Sequence, residues 1–236
     1  MAVLLRPFWR YYGGKWRAAP RYPTPVHSTI IEPFAGAAGY SLRYPDRDVV
    51  LVERYAVVAA VWRYLIRVPE SEIRSIPCVE SVGDLPWWVS PGGRALVGFC
   101  LGSAVTSPRR TLSDGKRKLA ALGRKREGWT KAHRELVASQ LAAIRHWRII
   151  EGDYTEAPDI EATWFVDPPY RGAAGAHYIH GSNAIDWKAL GSWTKARRGQ
   201  VIVCEASGAD WLPFEDFGDA KGAMGRTSRE AIWTRP

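Results

Sequence analysis

The sequence predicts an α/β fold built on a doubly wound, largely parallel sheet that carries a mainly helical, basic insertion. Three observations predict it. Short β-branched runs ("TIIEPF", "DVVLVE", "ATWFVD", "GQVIVCEA") alternate with stretches of helical periodicity. Several of these runs stop at glycine- or proline-rich turns, as strands of such a sheet do. Between the two groups of runs, the stretch from about 70 to 128 loses the alternation and gathers positive charge.

Taken in order, residues 29–34 ("TIIEPF") form a strand candidate that ends in "AGAAGYSLRY", a small-residue turn able to lead into a helix. Residues 48–53 ("DVVLVE") are a second strand, followed by "RYAVVAAVWRYLI", a helix, so 29–66 reads strand, helix, strand, helix. The next stretch holds Pro, Gly and Trp clusters ("GDLPWWVSPGGR") and then the charge run. "WTKAHRELVASQLAAIRHW" returns to helix, with Leu136, Val137, Gln140, Leu141 and Ile144 on one face and Thr130 as N-cap. "WRII" and "ATWFVD" are strands, 186–197 a helix and "GQVIVCEA" a strand, and the end ("AKGAMGRTSREAIWTRP") suits a terminal hairpin. The expected organisation is one domain from 1–69 and 129–236, interrupted by an insertion at 70–128.

At 236 residues, 46% apolar and 24% charged, the chain has room for one substantial core. Twelve tryptophans and ten tyrosines serve such a core and also suit stacking on flat ligands. From Ser107 to Arg148, twelve Lys and Arg stand against three acids, so this segment alone holds a net +9, the formal charge of the whole chain. Charge confined in this way suits a polyanion, although a solvated helical face or a loop would also account for it. Three cysteines (Cys78, Cys100, Cys204) lack metal-ligand spacing and fit reduced thiols. No run approaches the roughly 20 apolar residues of a membrane helix, and no secretory signal opens the chain, so a cytoplasmic protein is expected.

Three stretches fall where an open α/β sheet binds ligands, at the carboxyl ends of strands. The first is "EPFAGAAG" (32–39), whose small residues let the backbone turn tightly and approach a ligand. It is not a G-x-G-x-x-G fingerprint, and no Lys-Ser/Thr follows as in a P-loop; a close-packed turn is the plain alternative. The second is Glu53, an acid ending the next strand, where nucleoside-binding folds accept ribose hydroxyls. The third is Asp167-Pro168-Pro169-Tyr170. Its prolines fix a short rigid loop and keep carbonyls free. A carboxylate beside a free carbonyl accepts both hydrogens of an exocyclic amine, and the tyrosine can stack on the base that carries it.

These motifs resemble those of the N6-adenine DNA methyltransferases of the DNA adenine methylase type. The family's Asp-Pro-Pro-Tyr motif is matched in full at 167–170. Its Glu-Pro-Phe-x-Gly-x-Gly loop is matched by Glu32, Pro33, Phe34 and Gly36. Its N-terminal aromatic-x-Gly-Gly-Lys motif resembles Tyr11, Gly13, Gly14 and Lys15. The order along the chain also agrees. Two positions depart: the second loop glycine is Ala38, with glycine at 39, and Glu53 stands where Asp is usual.

The resemblance implies a Rossmann-like methyltransferase sheet with S-adenosylmethionine as methyl donor and double-stranded DNA as partner. Tyr11, Gly14, Lys15, Glu32, Phe34, Gly36, Glu53, Asp153 and Asp167 would bind the cofactor. Asp167, Pro168, Pro169 and Tyr170 would act on an adenine flipped out of the duplex. Arg109, Arg110, Lys116, Arg117, Lys118, Arg124, Lys125 and Arg126 would grip DNA phosphates. No metal is implied, His177 and His180 are read as loop residues, and a monomer or weak dimer is expected.

Two alternatives stay open: N4-cytosine methylation, which uses the same amine chemistry but usually has Ser at the place of Asp167, and a nucleic-acid-binding relative without catalysis. "IPCVE" contains the Pro-Cys pair of cytosine-C5 methyltransferases but not that family's partner motifs, so Cys78 is expected to be a buried structural thiol.

Overall fold

A computed structural model of the chain describes residues 4–123, 128–221 and 227–236. It is an α/β fold with one seven-stranded mixed sheet, mostly parallel. The strands are β1 (Thr29–Glu32), β2 (Asp48–Glu53), β3 (Arg148–Glu151), β4 (Thr163–Val166), β5 (Val201–Ala206), β6 (Glu215–Lys221) and β7 (Thr227–Arg235). Their order is β3-β2-β1-β4-β5-β7-β6. β1 to β5 are parallel; β7 returns antiparallel beside β5 and pairs with β6 at the edge. The chain winds from β1 out to β3, then starts again at β4 on the other side of β1. Connections from β1 and β4 therefore diverge, and a crevice opens at their carboxyl ends.

β1, β2, β4 and β5 carry largely buried apolar runs because both faces of the sheet are covered there. Their alternation divides them between two buried clusters. Ile30, Val49, Leu51 and Phe165 join one, while Ile31, Val50, Val52 and Trp164 join the other. Each fully buried Val, Ile or Leu here contributes about 1.5–3 kcal/mol by leaving water.

The helices are α1 (Ala56–Arg67), α2 (Glu70–Ser75), α3 (Pro91–Leu101), α4 (Asp114–Ala121), α5 (Lys131–Gln140) and α6 (Trp187–Lys195). α1 buries Val58, Val61, Trp62 and Leu65, a helical spacing that faces the first cluster. It ends where Pro69 forces Val68 into an extended conformation. Thr130 caps α5 by accepting from the His133 N–H, as the sequence predicts. Asp186 caps α6 in the same way through Ala189. On the opposite face of the sheet, Trp193 of α6 packs against the second cluster.

Two expectations are corrected. The turn after β1 does not lead into a helix: a single 3-10 turn, Ser41–Arg43, stands there. Gly36 and Ala38 both take positive φ, which breaks helical continuation, and β2 begins soon after at Asp48. Cys78 is exposed, because the preceding Ile76 is the residue that turns into the core. The segment 70–128 does leave the strand–helix alternation, but its α3 is a core helix, with Leu96, Phe99 and Leu101 in the same cluster as Trp9 and Trp62. No helix among the described residues is long and apolar enough to cross a membrane.

Candidate functional site

The three motifs meet at the switch point. Residues 32–39 leave β1 and Asp167 leaves β4, and these two strands are neighbours. The segment Tyr11–Lys15 touches both, with Lys15 Nζ at Asp167 and the Lys15 backbone packed against Gly39. Together with Glu53, Asp153 and the loop Tyr178–Asp186 they line one cavity of about 260 Å³. That is many times the roughly 10–15 Å³ needed by one water, so the space is of ligand size.

The 32–39 turn is held by its own chemistry. Gly36 sits at φ 46° and donates its N–H to Glu53 Oε2 at 2.9 Å. Glu53 Oε1 accepts from the Tyr55 N–H at 2.8 Å, so the acid clamps the turn to the end of β2. Burial lifts the Glu53 carboxyl above its ordinary range, opposed by those N–H groups. Ala38 adopts φ 49° and is fully buried, which costs an L-residue about 1–2 kcal/mol. The glycine at 39 has a packing reason: a Cβ there would lie 2.5 Å from the Trp16 backbone nitrogen. Glu32 is buried below the turn, accepts from the Ser41 N–H at 2.8 Å, and is pushed by burial up to about 8. Phe34 stacks on Tyr154, ring centroids 5.5 Å apart. Asp153, next to it, accepts from the Thr155 N–H and pairs with Arg54 at 3.6 Å.

At the other wall, Lys15 Nζ lies 2.8 Å from Asp167 Oδ1 and 3.8 Å from Glu230 Oε1. It also donates to the Gly13 carbonyl and rests 4.6 Å above the Tyr170 ring. Burial pulls the ammonium down, but the two carboxylates outweigh it, and Lys15 stays charged. Burial lifts Asp167 to about 6 against the pull of Lys15. The contact is a close, charge-assisted ion pair on Oδ1, while the Asp167 side chain as a whole keeps 19% of its surface exposed and lines the cavity. The Pro168 carbonyl accepts no hydrogen bond among the described residues.

Of the residues predicted from the sequence, Tyr11, Gly14, Lys15, Glu32, Phe34, Gly36, Glu53, Asp153, Asp167 and Pro169 line the cavity. Pro168 and Tyr170 do not: Pro168 is buried, and Tyr170 points its hydroxyl to Glu230 Oε1 at 3.1 Å with Lys15 over its ring. Tyr178 is among the aromatics that line the cavity, and its hydroxyl donates to the Tyr12 carbonyl at 2.9 Å. Among the basic residues, Arg109, Arg110, Arg117 and Lys118 are exposed. Lys116 is only 2% exposed and does not share their surface, because α4 turns it inward toward Cys100. Arg117 is paired with Asp114 and Glu80. Arg124, Lys125 and Arg126 lie outside the described residues.

Searched against protein-family models and curated proteins, the chain matches none.

Sequence reasoning missed Glu230, Tyr154 and Tyr178. Glu230 is a buried acid on β7 that binds the hydroxyls of both Tyr22 (2.8 Å) and Tyr170. Its one signal is an acid in the inward register of a terminal strand, at "SREAIW". Among the described residues no group of three or more His, Cys, Asp or Glu is arranged to hold a metal ion.

Proposed function

We propose that the chain is an S-adenosylmethionine-dependent DNA methyltransferase acting on the N6 amine of adenine in double-stranded DNA. The observation that carries the reading is the convergence of Lys15, the Glu53-clamped Gly36 turn and Asp167 on one switch-point cavity, with the Asp167 carboxylate held by Lys15 and part of its side chain facing the space. A carboxylate at a cavity wall accepts from a donor, and an exocyclic amine is such a donor.

The cavity residues suit the cofactor. Glu53 keeps lone pairs on both oxygens beyond the two N–H groups it accepts, which fits a ribose diol. Phe34 and Tyr154 offer flat apolar faces for a purine, with Asp153 beside them as acceptor. When bound, the cofactor supplies an electrophilic methyl group on a sulfonium.

The chain's own residues then act on the target amine. Its nitrogen is a poor nucleophile because the lone pair is conjugated with the ring. The Asp167 carboxylate accepts one of its N–H hydrogens, which favours a pyramidal nitrogen with the lone pair freed. Lys15 keeps Asp167 an acceptor by stabilising the carboxylate beside it. Tyr178 and Tyr12 offer aromatic surface to the base at the mouth, while Tyr170 holds the Asp167 loop through Glu230. Most of the rate acceleration comes from this positioning and electrostatics. A base inside a duplex is out of reach, so it is flipped into the cavity.

Cofactor binding tests the site directly. S-adenosylmethionine at a hundredfold excess over its Kd stabilises the fold by about 2.7 kcal/mol. A clear rise in melting temperature, reduced in Glu53→Ala, is expected; no shift in the unsubstituted chain would remove the cofactor from the proposal.

A further inference from the structure

Trp87 is 91% exposed, more than any other large apolar side chain described, and its neighbour Trp88 is 38% exposed. The loop that carries them is nonetheless tightly held. Arg94 donates to the carbonyls of Val82 (3.3 Å), Leu85 (3.2 Å), Pro86 (2.5 Å) and Val89 (3.0 Å). Leu85 and Val89 are buried on either side of Trp87, and Ser90 caps the helix that follows. A fixed loop thus holds two adjacent indoles at the surface, which sets this place apart from a singly scattered apolar side chain and makes it a candidate contact surface.

The surroundings indicate what covers it. The Val82 N–H donates to the Arg110 carbonyl at 2.8 Å, and Leu112 N–H to the Glu80 carbonyl at 2.7 Å, so residues 80–82 and 110–112 lie side by side. Arg109 and Arg110 are exposed, and neither has an acidic partner among the described residues. Of the nearby acids, Glu80 and Asp114 are occupied by Arg117, which leaves Asp84. The same segment reaches the cavity: the Tyr11 hydroxyl donates to the Thr106 carbonyl at 3.3 Å, and Thr106 Oγ1 to the His177 carbonyl at 3.1 Å. The loop that carries Trp87 thus starts beside Arg110, on the segment that also reaches the cavity.

We infer that Trp87 contacts nucleic acid outside the cavity, its indole stacking on an exposed base of the duplex whose target base enters the site, with Arg109 and Arg110 on the flanking phosphates. The inference rests on the function proposed above. Two exposed guanidiniums without an acidic partner among the described residues, on the segment that packs against the loop of a rigidly held aromatic, match a polyanion that carries flat bases; a second copy of this basic chain would set like charges against each other.

The test compares Trp87→Ala and Trp87→Phe with the unsubstituted chain, using fluorescence anisotropy with a fluorescein-labelled unmethylated duplex. Trp87→Ala is expected to bind about tenfold more weakly, in line with stacking worth ~1–3 kcal/mol per base, and Trp87→Phe to keep most of the affinity. Thermal shift with S-adenosylmethionine stays unchanged in both, which reports an intact fold and cavity. Equal affinity of Trp87→Ala and the unsubstituted chain would overturn the inference alone. So would a concentration-dependent dimer, by sedimentation, that Trp87→Ala abolishes. Failure of the unsubstituted chain to bind the duplex at all would instead bring down the DNA substrate, and this contact with it.

Discussion

Lys15 Nζ and Asp167 Oδ1 stand 2.8 Å apart, both largely withdrawn from solvent, although the residues are separated by most of the chain. The pair ties the N-terminal segment to the end of β4. Breaking a buried pair by removing one partner costs about 3–5 kcal/mol, because the other charge is stranded. Lys15→Met should therefore lower stability to urea by about 3 kcal/mol. A change close to zero would mean that the pair is not formed in solution.

The same relationship sets a pH dependence for the proposed reaction. Burial lifts Asp167 to about 6, with Lys15 holding it down. If the carboxylate is the working acceptor, kcat/KM rises with pH through about 6 and then levels. Lys15→Met moves this acid limb upward. A limb that stays in place in Lys15→Met would remove Lys15 from that role.

Asp167→Asn keeps the side chain's size but replaces an acceptor oxygen with a donor. Methyl transfer should fall by roughly 10²–10³ or more, the scale of removing one preorganised electrostatic interaction. DNA binding should stay nearly intact. Parallel loss of both would count against the role given to Asp167.

Stability itself should depend on pH through Glu32. Its folded value, about 8, lies above the ordinary 4.5. A raised pKa means that the contribution is fully present below 4.5 and is lost as pH rises to about 8. Asp167 acts in the same direction, from 3.8 to about 6. Glu32→Gln should flatten the decline, seen as urea midpoints measured on either side of that window. An unchanged slope would mean that Glu32 does not titrate there.

Arg109 and Arg110, rather than Lys116 and Arg117, are the cations predicted to set the salt dependence of DNA binding. Lys116 is buried and Arg117 is already paired. Arg109→Glu with Arg110→Glu should reduce the slope of log K against log salt by about one for each phosphate no longer neutralised. An undiminished slope would move the phosphate-binding cations elsewhere.

How far these features could be read from the sequence follows from where their signals lie. The strands and the switch-point motifs were readable because apolar runs ending in "EPFAG" and "DPPY" carry their geometry locally. The missing helix after β1 was not, since positive φ at Ala38 is a demand of the packed turn that an alanine does not announce. Lys116 reads as a surface cation in the sequence but is buried in the fold, because charge in a sequence says nothing of which way a helix faces. Glu230 and Tyr178 gain their places only through long-range interactions with Lys15, Tyr170 and Tyr12. Tyr170 has Lys15 over one side of its ring and Glu230 at its hydroxyl, neighbours that "DPPY" does not announce.

The central claim is tested most directly by supplying S-adenosylmethionine carrying a labelled methyl group with unmethylated double-stranded DNA, then digesting the DNA to nucleosides. Label in N6-methyladenine, absent with Asp167→Asn, is the predicted result. Label in N4-methylcytosine would contradict the target base, and no label in DNA from a chain that binds the cofactor would contradict the substrate.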